Sequence, residues 1–299
     1  MNKIERVLDV KAELGESPVW SVDDQTLLWV DIHRKTINRF DPATGQNRAW
    51  NMAAQPGAIA LREGNGVVIA AGDGVYDLDL AVGGIKKLAE APFNPIGFRF
   101  NDGKPDRQGR FWCGSFPHSY HTGGLIRNQG VMYKIQGPLI EAGFAPITIA
   151  NGMAFSPDGK IMYRAESLDR IIYAFDYNCE TGEVSAQRVF ARVPNEFGYP
   201  DGATIDTEGG YWAALVQGPK GGGVIRFSPN GKLDLHFEMP VLAPTMPAFG
   251  GADMSTLYFT SAGYNYDTKG VPKGEMSGDV FAVKTQFRGI PETKMPAWR

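Results

Sequence analysis

Cysteine and histidine are scarce in this chain of 299 residues: two cysteines and four histidines. Two thiols cannot build a disulfide framework. Cys113 falls in the apolar run Arg110-Phe111-Trp112-Cys113 and reads as a buried thiol, whereas Cys179 sits in a turn-like Asn178-Cys179-Glu180-Thr181-Gly182 and reads as a surface one. The histidines His33, His118, His121 and His236 form no H-E-x-x-H, and C-x-x-C is missing, which argues against a protease-type zinc centre. No G-x-S-x-G elbow occurs, so a serine triad of the α/β-hydrolase kind lacks support. Gly218-Pro219-Lys220-Gly221-Gly222-Gly223 lacks the Gly-Lys-Ser/Thr ending of a phosphate loop and reads as a hairpin tip. Charge is nearly balanced at −3, without the basic patch that nucleic acid requires. No run approaches the roughly 18 apolar residues of a membrane span, and the start Met1-Asn2-Lys3-Ile4-Glu5-Arg6 carries no apolar leader. The expectation is a cytoplasmic protein with neither nucleic-acid nor membrane partners, a monomer or small homo-oligomer. Helical periodicity of useful length is missing too.

What the sequence has is glycine (37) and proline (20), spread evenly, and a repeat. A turn followed by an aromatic or β-branched run recurs: Asp106-Arg107-Gln108-Gly109-Arg110 before Phe111-Trp112-Cys113, Ser156-Pro157-Asp158-Gly159-Lys160 before Ile161-Met162-Tyr163, and Asp206-Thr207-Glu208-Gly209-Gly210 before Tyr211-Trp212-Ala213. Weaker copies precede Leu27, Val67 and Leu257. Each continues into a second hairpin, as in Ile172-Tyr173-Ala174-Phe175-Asp176-Tyr177. Six copies at a period near 50 predict an all-β fold: one domain over residues 1–299, a six-bladed β-propeller with four-stranded antiparallel blades. A two-sheet sandwich does not explain a 50-residue period. Ile4 to Val10 is expected to supply a strand to the last blade and close the ring.

One position of the repeat carries chemistry. Eight residues before each turn marker stand Glu16, Gly57, Asn101, Asn151 and Asp201, with Thr245 in the sixth copy. This register starts the first strand of each blade, which lines the central channel, so two carboxylates and two carboxamides converge on one centre. Such a cluster is costly in an apolar channel unless it is neutralised. A single divalent cation with oxygen ligands would neutralise it, which favours Ca²⁺, Mg²⁺, Mn²⁺ or Fe²⁺ over thiolate-type zinc. Arg99, two residues before Asn101, shares that strand face and can hold a hydroxyl, a carbonyl oxygen or an oxyanion. His118, Tyr120 and His121 lie in a loop placed to cover the channel mouth.

Leu14-Gly15-Glu16-Ser17-Pro18-Val19-Trp20, Arg99-Phe100-Asn101-Asp102-Gly103-Lys104, Ala150-Asn151-Gly152-Met153-Ala154-Phe155-Ser156-Pro157-Asp158-Gly159, Pro200-Asp201-Gly202-Ala203 and Ala248-Phe249-Gly250-Gly251 together resemble the senescence marker protein/gluconolactonase/regucalcin family over nearly the whole chain. The resemblance implies hydrolysis of an aldonolactone of glucono-, xylono-, arabinono- or galactonolactone type. It implies one metal ion (calcium, zinc, manganese, magnesium or iron(II)) on Glu16, Asn151 and Asp201, with Asp201 also the general base and Arg99 and Asn101 contacting substrate. A metal-dependent phosphotriesterase on the same site and a non-catalytic calcium-binding propeller are the alternatives. Two departures bear on the substrate. The loop position where some members carry a glutamate is about Ser119 here, and the run Tyr163-Arg164-Ala165-Glu166-Ser167 has Glu166 for the usual aspartate and adds Arg164. Such cationic and imidazole groups suit a lactone with an anionic substituent.

Overall fold

The computed structural model describes residues 3–120, 123–219, 221–263 and 274–297. Six antiparallel four-stranded sheets are arranged as a six-bladed β-propeller. Their inner strands are Gly15–Ser21, Pro56–Arg62, Phe98–Pro105, Ala150–Phe155, Tyr199–Ile205 and Pro244–Gly250, here the inner strands of blades 1 to 6. The turn repeat is the reason for the regularity. In blade 3, Asp106 accepts the amides of Gln108 (2.8 Å) and Arg110 (2.9 Å). One hundred residues on, in blade 5, Asp206 accepts those of Glu208 (3.0 Å) and Gly210 (2.8 Å). Gly109, Gly159 and Gly209 take the left-handed conformation that closes each turn. Gly218 and Gly221 end adjacent strands, so the glycine-rich segment is a hairpin end.

The blades stack on their apolar faces. Trp29, Trp112 and Trp212 are each at most 1% exposed, and each such burial is worth roughly 1.5–3 kcal/mol or more. Of the two thiols, Cys113 is fully buried and Cys179 intermediate. Among the described residues no helix is long and apolar enough to cross a membrane.

Ring closure follows the expected route. Glu5–Leu8 pairs antiparallel with Val280–Lys284 as the outermost strand of blade 6. Asp279 holds this junction: its fully buried carboxylate accepts the amides of Val10 and Lys11 (both 3.1 Å) and pairs with the Lys11 ammonium (2.9 Å). A second closure lies below. The C-terminal segment bonds blade 6 (Gly289 amide to the Met254 carbonyl, 2.8 Å) and bridges blade 5 at Asp206. Glu292 then pairs with Lys104 of blade 3 at 2.6 Å. The fully buried Met295 donates to the Leu61 carbonyl of blade 2 at 2.7 Å. Blades 2 and 5 face each other across the ring, so this segment spans the lower mouth of the channel.

Replacing Asp279 by alanine leaves two amides without their acceptor and deletes the buried anion. The expected result is a loss of roughly 2–4 kcal/mol, seen as a lower urea midpoint, with the far-ultraviolet spectrum of the folded protein unchanged.

Candidate active site

Every inner strand carries a β-bulge at the register of the polar ring. One extra residue is inserted between Glu16 and Val19, Pro56 and Ala58, Phe100 and Gly103, Asn151 and Ala154, Pro200 and Ala203, and Pro244 and Met246. A bulge re-aims the side chains beside it, and here it turns the ring residues toward the axis. Ser17 (φ 49°) and Gly152 (φ 64°), each following a ring residue, adopt the left-handed region to make the bend. Gly152 also has no room for a Cβ beside Ala165 and the Tyr211 hydroxyl.

Glu16, Arg99, Asn101, Tyr120, Asn151 and Asp201 line one pocket of about 220 Å³ at the upper channel mouth. Arg99, Asn151 and Asp201 are 3%, 8% and 5% exposed, while Glu16 and Asn101 keep partial exposure. Apolar side chains share the lining: Leu14, Phe116, Ile149, Leu168 and Val216, with Tyr199 and Gln217 beside them. A hydrogen-bonded chain fixes the polar side. Arg99 donates to Asn101 Oδ1 (2.7 Å), Asn101 Nδ2 donates to Asn151 Oδ1 (2.8 Å) and to the Ala150 carbonyl (2.9 Å), Asn151 Nδ2 donates to Ser167 Oγ (2.9 Å), and Ser167 donates to the Pro200 carbonyl (2.7 Å). Each link sets the next amide's orientation, and the chain joins blades 3, 4 and 5 just above Asp201. Arg99 also lies 4.5 Å over the Phe116 ring.

The two remaining ring positions are structural. A Cβ at Gly57 would overlap the Phe100 carbonyl oxygen, so glycine lets blades 2 and 3 close up beside Asn101. Thr245 is fully buried and bonded to the Gly15 carbonyl and to Thr260 Oγ1 (2.9 Å), away from the pocket. His118 does not line the pocket; its amide bonds the Gly97 carbonyl (3.0 Å), and burial together with the Arg99 charge lowers its imidazole pKa. His121 lies outside the described residues. His33, which the repeat did not single out, also has its pKa lowered by burial and the Arg99 charge.

The departure at Glu166 has a structural cause. Its carboxylate accepts the amides of Thr148 (3.1 Å) and Ile149 (3.0 Å), as Asp31 accepts those of Glu13 (2.9 Å) and Leu14 (3.2 Å) in blade 1. Arg164 is buried and paired with Glu166 at 3.1 Å, outside the pocket lining. Neither side chain is therefore offered to a ligand.

Electrostatically the channel favours a cation. Burial raises the Glu16 carboxyl well above its usual range, and the Asp201 charge adds to the rise. Burial likewise raises Asp201, with Asp102 adding and Arg99 opposing. Asp102 is pushed up to about 6 by burial. The Asp102 charge adds to the rise at both Glu16 and Asp201, and the Arg99 charge opposes it at both. Among the described residues no group of three His, Cys, Asp or Glu side chains is arranged to hold a metal ion. A dication here needs the Asn151 carboxamide beside Glu16 and Asp201, and that all-oxygen set fits a hard ion.

Residues 14–263 match the SMP-30/Gluconolactonase/LRE-like region. The chain belongs to this family. It is 36% identical over 283 residues to the 6-deoxy-6-sulfogluconolactonase of Pseudomonas putida, covering 93% of this chain and 94% of the relative. Human regucalcin is 35% identical over 283 residues, covering 94% of each. The crystal structure of a calcium-binding protein, regucalcin, from Agrobacterium tumefaciens superposes with a TM-score of 0.89 at 26% identity, covering 97% of this chain and 96% of that one.

The raised carboxyls make metal-free stability pH-dependent. An acid whose folded pKa lies above its unfolded value binds protons more tightly when folded, so its contribution is complete below about pH 4 and is lost as pH rises through the raised value. For Asp102 that loss runs from about pH 4 to about 6, and for Glu16 and Asp201 it continues above the ordinary carboxylate range. Thermal shift with Ca²⁺ or Mn²⁺ is therefore expected to show little stabilisation at pH 5 and a clear gain at pH 7.5. Equal gains at both would contradict the reading.

Proposed function

We propose that this chain is a metal-dependent lactonase that hydrolyses an aldonolactone to the aldonic acid, with Glu16, Asn151 and Asp201 holding one divalent ion. The observation that carries this is the pairing, in one pocket, of two raised carboxyls with a hydrogen-bonded Arg99–Asn101–Asn151 chain. The family membership and the P. putida relative's name support the same activity. The pocket suits the substrate class: the apolar side chains accept the C–H face of a sugar ring, and the polar ones accept its hydroxyls and carbonyl. The ion supplies positive charge that polarises the lactone carbonyl and acidifies a water. Calcium is the first ion to test, given the all-oxygen donors and the calcium-binding relative from A. tumefaciens.

Asp201 takes a proton from water as the water oxygen attacks the carbonyl carbon. Arg99 presents a fixed positive charge to the developing oxyanion, and Asn101, held by Arg99, orients a ring hydroxyl. The bond between the carbonyl carbon and the ring oxygen then breaks. The departing alkoxide takes the proton back from Asp201, which leaves the open-chain acid and a regenerated carboxylate. A bound dication would depress the Asp201 pKa, so Asp201 can take the proton only because the same ion would acidify the water as well.

Asp201→Asn is expected to lower kcat for gluconolactone by about 10²–10⁴-fold in a pH-indicator assay, with the folded circular dichroism spectrum retained. Chelation by EDTA should abolish activity in the native protein and add-back of Ca²⁺ or Mn²⁺ restore it. An Asp201→Asn variant that keeps both bound ion and full turnover would overturn the assignment.

A further inference from the structure

Asp102 has no role in the chemistry above, yet it is one of the buried acids of the molecule. It follows Asn101 in the inner strand of blade 3, at the bulge, and is 8% exposed. One oxygen, Oδ2, accepts the Met153 amide of blade 4 at 3.0 Å. The other, Oδ1, is fully buried and has no hydrogen-bond partner among the described residues. A buried carboxylate oxygen left in this state costs free energy, which the backbone of Met153, Gly103 and Gly152 and the Lys104 charge offset only in part. The nearest formal cation along the strand, Lys104, is engaged by Glu292 of the C-terminal segment at 2.6 Å. Asp102 is felt above instead: its charge raises both Glu16 and Asp201.

We propose that Asp102 is a positioning residue of the metal centre, a third anion set behind the ring that strengthens dication binding between Glu16, Asn151 and Asp201 without being one of its ligands. The inference rests on the metal site proposed above. Glu16 and Asp201 alone would neutralise a dication, but Arg99 lies in the same pocket and repels it. Asp102 offsets Arg99, as Glu292 offsets Lys104. The guanidinium can therefore face the substrate without expelling the ion. The strain Asp102 stores in the metal-free protein is released when the ion arrives, so apo stability and ion affinity are traded against each other at this one side chain.

Asp102→Asn tests this with two readouts of opposite sign. Its amide oxygen still accepts the Met153 N–H, while the buried charge is gone. Metal-free Asp102→Asn should melt a few degrees above the metal-free native protein. Titration calorimetry with CaCl₂ or MnCl₂ should give one ion per chain in both, bound about 10- to 100-fold more weakly by the variant. Unchanged affinity, a lower metal-free melting temperature or failure of the variant to fold each overturns the proposal. So does a native stoichiometry of two ions that falls to one, which would make Asp102 a ligand. If the native protein binds neither ion, the metal site itself is wrong and this inference falls with it. If the native protein binds and only the Asp102 comparison fails, the metal site stands.

Discussion

Two carboxylates held close together where water is scarce repel each other and resist losing their protons, and Glu16 and Asp201 are in that position. Tolerating the pair requires that their backbones cannot drift apart. The fold supplies that constraint several times over. Ring closure through Asp279 holds the blade 6–blade 1 seam. The bulges fix the direction in which each ring side chain leaves its strand. The amide chain from Arg99 to Ser167 ties three blades together beside Asp201. Of these devices only the amide chain reaches the proposed chemistry, through Arg99, Asn101 and Asn151. Together they hold an unfavourable arrangement of charge in place, which is what the proposed cation site requires.

Much of this was readable in the chain. The 50-residue spacing of Gly109, Gly159 and Gly209 reflects a real structural period, because each closes the same turn. The ring register identified four polar residues that do line one pocket. The bulges that aim them were not readable, since an extra residue in one strand leaves no mark in composition or alternation. The same limit covers Asp102, which sits one residue from Asn101. Ser167 stands inside Tyr163-Arg164-Ala165-Glu166-Ser167 with nothing in the sequence to mark its role. Glu166 turned out to do the work of Asp31, receiving two amides from the preceding segment. That equivalence is invisible until the blades are superposed. Arg164 then follows as the partner of Glu166 rather than as a substrate cation.

The scaffold and the chemistry are separable in this molecule. Blade stacking depends on buried tryptophans and aliphatic side chains well away from the axis. Leu168, Tyr199 and Gln217 of the pocket lining come instead from connections between strands or from strand ends.

The C-terminal strap has a kinetic implication. A channel open at both ends would let a fresh lactone enter from one side while the sugar acid left by the other. With Met295 and the Lys104–Glu292 pair stoppering the base, arrivals and departures share one doorway. Each turnover must empty the vestibule before the next begins.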